Sequence, residues 1–494
     1  MITNKLYYGD NLKVLRERIP NNSIDLIYLD PPFNSKAPYN ILYNEPTGEL
    51  SEAQITAFED TWHWTEEAER TFQEIIDKGS PEVIKMMSSF IEFIGRNDVM
   101  AYLTMMCIRL LELQRVLKET GSIYLHCDPT ASHYLKIVMD TIFGKKNFRN
   151  EIVWCYYGAS SPGQRQFSRK HDIIFWYSKG DNWIFNTEDV RVPYAESTLK
   201  RIKTTPTSIF HGKRTKRTAH EKGKIVEDYW YIPAVVSTAK ERLGYPTQKP
   251  EALLDRILKA SSNAGDTVLD PFCGCGTTIV EAHRLNRKWI GIDVTHLAIN
   301  LIKLRMKNTY KLEPKKDYEV IGEPGDLAGA KELASQNKYQ FQWWAGSLID
   351  AKPYGDKKKG PDTGIDGYIF FQERKEKISK IIVQVKSGTV QVKDIRDLGH
   401  VIDREKAEIG IFITLAKPTG PMVKEAIGKG YYRSDIYKKD YPKIQILTVA
   451  ELLEGKKPDI PPTIHSYKRA KSKSIEGDGI PKENLELNFP DTNP

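Results

Sequence analysis

Three stretches of this 494-residue chain set chemically capable side chains at meaningful spacings. In TVLDPFCGCGTTIVEA (Thr267 to Ala282) an apolar run, a turn holding Gly274 and Gly276 and a helix-like segment follow one another. Glycines there let backbone approach a ligand closely. Roughly 20 residues later IGID ends a second apolar run at Asp293, where dinucleotide-type folds keep an acid against ribose hydroxyls. In LIYLDPPFNSK (Leu26 to Lys36) an apolar strand runs into Asp30-Pro31-Pro32-Phe33. Taken alone, that tetrad also reads as a strand-end turn. In KKGPDTGIDGYIFFQERKEKISKIIVQVKSG (Lys358 to Gly388) Asp366 follows a Gly-rich turn, and IIVQVK carries Gln384 and Lys386 two apart. That spacing puts both on one face of a strand. An acid, a second oxygen ligand and a lysine on adjacent strands can hold Mg²⁺ and orient a water.

These side chains need a frame. Residues 1–310 alternate β-rich runs (SIDLIYLD, GSIYLHCD, HDIIFWYS, DTVLD, KWIGIDV) with helix-like segments such as VMAYLTMMCIRLLELQRVLKE and PEALLDRILKAS. Such alternation predicts an α/β sheet with helices on both faces. Residues 311–335 are polar and carry Pro and Gly, as a linker does. A second, smaller αβ pattern occupies residues 336–457, and residues 458–494, rich in Pro and charge, read as a flexible tail.

Composition narrows the partners. Net charge is +8, a mild excess that suits a polyanion. The cations concentrate in TSIFHGKRTKRTAHEKGK (Thr207 to Lys224), where Lys213, Arg214, Lys216 and Arg217 stand with almost no acid. A solvated loop would look similar, but the aromatics of DYWYIP follow at once, as at nucleic-acid surfaces. No apolar run is long enough to span a membrane. The start lacks a signal-peptide layout, so a cytoplasmic protein is expected. Five scattered cysteines make no disulfide framework, and Cys273 with Cys275 is a lone CxC without a second metal-binding pair. No GxxxxGK[ST] occurs, which excludes a Walker-type motor within this chain.

DPFCGCGTT resembles the S-adenosyl-L-methionine motif DPFxGSGTT of amino-group DNA methyltransferases, with Cys275 in place of the usual Ser. YPTQKPEALLDRIL (Tyr245 to Leu258) is similar to the segment that closes over the cofactor, Asp30-Pro31-Pro32-Phe33 to the catalytic DPP[YF], and YYGDNLKVL to the segment whose acid, here Asp10, lies near the cofactor adenine. The order, catalytic motif before cofactor motif, is that of the permuted β class. The resemblance covers residues 1–310 and implies a Rossmann-like fold. It implies cofactor contacts from Asp10, Lys249, Asp270, Pro271, Phe272, Gly274, Gly276, Thr277, Thr278 and Asp293. It also implies that Asp30 and the Pro31 carbonyl accept hydrogen bonds from the target amine while Phe33 stacks on a base flipped out of double-stranded DNA. Family habit pairs a first-position Asp with adenine-N6 rather than cytosine-N4. A carbon-5 cytosine methylase would need a nucleophilic Pro-Cys, and none occurs. Residues 183–240 stand where the family reads its target sequence.

The D…QxK pattern resembles the Mrr-like branch of the PD-(D/E)xK nucleases. It implies Mg²⁺ on Asp366 and Gln384 with Lys386 as catalytic lysine, and FQWWAGSLI looks like the opening helix of that fold. Gln384 replaces the commoner Glu, which removes one anionic ligand. The sequence therefore reads as an adenine-N6 DNA methyltransferase fused to a Mg²⁺-dependent endonuclease of a restriction-modification system. Two alternatives stay open: a C-terminal domain that only holds DNA, and a modification subunit working beside a separate restriction or motor subunit. A homodimer is also left open.

Overall fold

The computed structural model describes residues 4–463, apart from 33–37, 45–49, 60–61, 129–130, 157–166, 205–206, 211–212, 217, 237–238, 240, 244, 246, 355–363 and 375–376. A nine-stranded sheet takes up the first two-thirds of the chain. Its strands are β1 (Lys5–Tyr8), β2 (Ile24–Leu29), β3 (Leu117–Cys127), β4 (Phe148–Cys155), β5 (His171–Ser178), β6 (Tyr229–Tyr231), β7 (Thr267–Asp270), β8 (Lys288–Asp293) and β9 (Glu319–Ile321). Their spatial order is β6-β4-β5-β3-β2-β7-β8-β1-β9. All neighbours are parallel except β5, which runs antiparallel to both β3 and β4.

Every residue of β2 is buried, as expected for a central strand covered on two faces. One face packs against the long apolar helix Asp98–Val116. The Asn97 side chain caps that helix by accepting from the Met100 N–H at 3.1 Å. The opposite face packs against helices Glu251–Ser261, Thr277–Arg284 and His296–Tyr310. The β2 and β7 ends, which carry Asp30 and Asp270, therefore emerge side by side, where ligands bind in open α/β sheets.

The C-terminal part is a five-stranded sheet of β10 (Lys352–Pro353), β11 (Gly367–Arg374), β12 (Lys377–Lys386), β13 (Ile409–Thr414) and β14 (Ile444–Thr448), in that spatial order. The first three pair antiparallel and the last three parallel. Ile381, Val383 and Val385 face helices Leu327–Gln336 and Lys338–Ser347, whereas Ile382 faces helices Val392–Arg404 and Gly420–Gly428. Period two thus puts Gln384 and Lys386 on the side of Ile382.

Residues 311–335, expected as a linker, carry structure. β9 pairs with β1, and helix Leu327–Gln336 packs onto the second sheet. β9 is three residues long with polar neighbours, so it sent no strand signal; it covers the edge that β1 would otherwise leave open. Within the expected tail, Thr463 bridges Phe371, and residues 464–494 lie outside the described residues. Among the described residues, no helix is long and apolar enough to cross a membrane.

Candidate active site

A cavity of about 370 Å³ opens at the ends of β1, β2, β7 and β8. Asp10, Asp30, Pro31, Pro32, Lys249, Asp270, Pro271, Phe272, Gly274, Thr277, Thr278 and Asp293 all line it. Residues as far apart in sequence as Asp10 and Asp293 thus meet around one space because the parallel sheet brings its strand ends together. Gly276 stands just behind the lining. Its φ is +76°, and a Cβ there would lie 2.6 Å from Ile302, so the turn into helix Thr277–Arg284 requires glycine. Gly274, at φ +48°, lies against the Tyr245 ring, where a Cβ would come within 3.2 Å.

Asp293 braces this turn. Its Oδ2 accepts from the Gly274 N–H at 3.0 Å, and its Oδ1 accepts from the Thr295 N–H at 2.9 Å and the Thr295 hydroxyl at 2.8 Å. Burial raises the pKa of Asp293 and pushes that of Asp270 up to about 7. Asp270 accepts from the Phe272 N–H at 3.1 Å. Asp10 caps helix Asn11–Arg18 through the Lys13 N–H at 3.0 Å and pairs with Arg109 at 2.7 Å. Arg109 also donates to Asn11 Oδ1 at 2.6 Å, and Asn11 Nδ2 donates to the Pro271 carbonyl at 2.8 Å. Arg109, Asn11 and the lining residues Trp62 and Glu67 were not foreseen. Arg109 lies inside an apolar helix whose pattern signals core alone.

Lys249, expected at the cofactor, lines the cavity and also reaches Asp30, with Nζ 2.5 Å from Oδ2. Asp30 Oδ1 is buried and accepts no hydrogen bond. Behind it, His126 Nδ1 lies 3.8 Å from Asp30 Oδ1 and 3.0 Å from the Tyr28 hydroxyl, while Nε2 lies 3.1 Å from Asp172 Oδ2. The sequence marked His126 only as part of a strand.

Three groups of expected site residues are not among those described at the cavity. Phe33 lies outside the described residues. Lys213, Arg214 and Lys216 belong to strand Lys213–Lys216, which pairs with Thr207–Phe210 in a hairpin; their side chains, and all of Arg217, lie outside the described residues. On the second sheet Asp366 Oδ2 accepts from the Val385 N–H at 2.7 Å, between Gln384 and Lys386. Gln384 is buried and its Oε1 has no hydrogen-bond partner. Among the described residues no three His, Cys, Asp or Glu side chains gather as a metal site. One carboxylate and one amide fit Mg²⁺ poorly, since that ion takes an octahedral set of oxygen ligands.

The two sheets touch beside the cavity. Trp343 of helix Lys338–Ser347 shares an apolar cluster with Tyr245, Cys275, Leu297 and Leu301. Gln340 Oε1 accepts from the His296 N–H at 3.0 Å.

Residues 24–304 match the family model described as DNA methylase, and residues 348–454 match one described as NACHT-associated inactive Restriction Endonuclease 1. The chain is 32% identical to Type II methyltransferase M.HpaI of Haemophilus parainfluenzae over 44% of its own length, a match spanning 63% of that relative. It is 27% identical to DNA adenine methyltransferase YhdJ of Escherichia coli over 62% of this chain and 85% of that one. Among solved structures it resembles the PvuII DNA methyltransferase (cytosine-N4-specific) at 16% identity and a TM-score of 0.38, covering 62% of this chain and 87% of that one.

Proposed function

Because this chain belongs to the DNA methylase family, we propose that it transfers a methyl group from S-adenosyl-L-methionine to the N6 amine of adenine in double-stranded DNA. The observation that carries the reading is the meeting of Asp30 with Asp270, Gly274 and Asp293 in one cavity. That cavity suits the cofactor. Asp10, Asp30, Glu67, Asp270 and Asp293 supply negative charge for a sulfonium and an ammonium, and Arg109 and Lys249 supply positive charge for a carboxylate.

When bound, S-adenosyl-L-methionine supplies an electrophilic methyl group. The chain's residues supply the rest. An exocyclic amine is a poor nucleophile because its lone pair is delocalised into the ring. Asp30 Oδ1, buried and without a donor, is open to one amine N–H, and the Pro31 carbonyl to the other. Two fixed acceptors favour a pyramidal nitrogen and stabilise its developing positive charge. Pro32 restricts the backbone at Pro31 and so helps hold its carbonyl in place. Phe33 stacks on the base, which must leave the duplex to reach the cavity. Asp293 holds the ribose hydroxyls. Transfer is a direct in-line displacement. Asp in the first position of the tetrad supports adenine, as does similarity to a relative named for adenine methylation.

The test is incorporation of labelled methyl groups into unmethylated phage DNA, followed by nucleoside digestion. N6-methyladenine is expected, with Asp30→Ala lowering the rate at least about ten- to hundredfold, the worth of one charge-assisted hydrogen bond. Label found only in N4-methylcytosine would overturn the adenine assignment, and no label at all would overturn methyl transfer.

A second reading concerns the C-terminal sheet. The orphaned Gln384 Oε1, one residue from the Val385 N–H that Asp366 holds, is the observation that favours a Mg²⁺-dependent endonuclease there. The single carboxylate among the described residues and the family description weigh more, and we read this part as a DNA-holding module that does not cut. Cleavage by the purified chain with Mg²⁺ or Mn²⁺, lost in Asp366→Ala and Lys386→Ala, would restore the nuclease reading.

A further inference from the structure

We propose that His126, held between Tyr28 and Asp172, is a positioning residue that carries away, through Asp30, the proton released in methyl transfer. This rests on the amine-methylation reading above. As the N–C bond forms and the C–S bond breaks, sulfur keeps the electron pair and becomes neutral. The positive charge moves to the amine nitrogen, which must shed a proton. The acceptor facing that amine is Asp30 Oδ1, which is buried and receives no hydrogen bond, while Oδ2 is occupied by Lys249.

The groups around His126 fix its tautomer. Asp172 Oδ2 lies 3.1 Å from Nε2, and a carboxylate only accepts, so Nε2 carries a hydrogen. Burial works to raise the pKa of Asp172, while the His126 hydrogen bond, Lys249 and the Tyr156 hydroxyl favour its anionic form. With Nε2 protonated, Nδ1 of the neutral ring accepts from the Tyr28 hydroxyl at 3.0 Å. Asp30 Oδ1 lies 3.8 Å from Nδ1, whose one lone pair is turned to the Tyr28 hydroxyl in the resting site.

The path follows from the contacts. The amine proton bonds to Asp30 Oδ1 as its N–H bond breaks, then passes to His126 Nδ1 while the Tyr28 hydroxyl turns from donating to Nδ1 to accepting from it. The resulting imidazolium is stabilised by Asp172, as an orienting carboxylate stabilises a catalytic histidine in hydrolases. Asp172 also accepts from the Tyr156 hydroxyl at 3.3 Å. Its side chain is 17% exposed, whereas that of His126 is fully buried, so a proton held by His126 can leave toward water on the Asp172 side. Among the described contacts, Tyr28, Asp30 and Asp172 face His126, with Lys249 and Tyr156 one contact further out. The indole of Trp154 lies edge-on to the ring at 5.5 Å.

The experiment is single-turnover methylation of unmethylated phage DNA at saturating labelled S-adenosyl-L-methionine, from about pH 5.5 to 9, with cofactor affinity measured alongside. His126→Gln should bind cofactor within about twofold of wild type yet lose at least about tenfold in rate, the usual worth of a proton-transfer group being roughly 10²–10⁴. Asp172→Asn is the second variant, useful if His126→Gln does not fold. Its neutral amide cannot stabilise an imidazolium and should produce the same loss. An unchanged rate and pH profile in either folded variant overturns the relay. The arms separate the two failures. Wild type without methylation sinks the methyltransferase reading, whereas a wild type that works, with Asp30→Ala dead and His126→Gln unaffected, sinks the relay alone.

Discussion

Asp293→Asn changes one atom and removes one acceptor. In the wild-type chain both carboxylate oxygens are used, Oδ2 by the Gly274 N–H and Oδ1 by two groups of Thr295. The amide keeps one oxygen. Leaving it on Thr295 turns the new NH₂ toward the Gly274 N–H, donor against donor, in a buried place. Orphaning a buried donor costs roughly 1–3 kcal/mol. Stability feels a compensation, because burial already disfavours the Asp293 charge and the variant is neutral. Cofactor affinity has no such offset, since the loosened turn and the missing ribose acceptor both act on the bound state. We therefore expect S-adenosyl-L-methionine to bind roughly five- to 150-fold more weakly, at about 1.4 kcal/mol per tenfold, while the urea midpoint moves little. Calorimetric titration at about pH 7.5 beside urea denaturation reads both. An affinity within about twofold of wild type would show that neither the turn nor the ribose depends on this carboxylate.

Asp270, raised to about 7 by burial, should ionise when a cationic cofactor arrives, so binding near pH 6 should release a proton and affinity should climb with pH until about 7, then level off. Calorimetry in two buffers of different ionisation enthalpy measures that proton, and equal heats would contradict it. In the unliganded chain the same raised pKa has the opposite sign for stability: Asp270 costs stability as pH rises from the unfolded carboxylate range to about 7, because the native state binds the extra proton. Gly276→Ala should lose about 2–4 kcal/mol in urea denaturation, since its Cβ would meet Ile302 at 2.6 Å on a backbone with φ +76°. Neutralising Lys213, Arg214, Lys216 and Arg217 together should flatten the log–log salt dependence of DNA binding by about 0.9 for each phosphate left without its cation, and an unchanged slope would make the stretch a solvated loop.

What the sequence made legible was contiguous. A strand running into Asp30-Pro31-Pro32 and a strand, glycine turn and helix around Gly274 each carry their geometry in neighbouring residues, and both sit where the reading put them. Contacts made between distant elements carried no such mark. Arg109 meets Asp10 across 99 positions and His126 meets Tyr28 across 98, and nothing near either residue announces the partner. His126 was hidden twice over, because one polar residue in an apolar strand reads as an ordinary core histidine. The segment at 311–335 misled for a different reason: Pro and Gly flank β9 and mask it, and only the open edge of β1 explains why three residues pair there.

Trp343, from outside the stretch that matches the methylase model, packs behind residues that line the cavity. It shares its cluster with Tyr245, which lines the cavity, and with Cys275 of the glycine turn. A ribosome delivers residues in order, and domains generally fold as they emerge. The motifs for methyl transfer have been made once residue 304 is reached, but β9 and Trp343, which completes the cluster of Leu297 and Leu301, come later in the chain. The pocket is thus finished by a helix translated after the motifs it supports, which ties its maturation to the arrival of the second sheet's first elements.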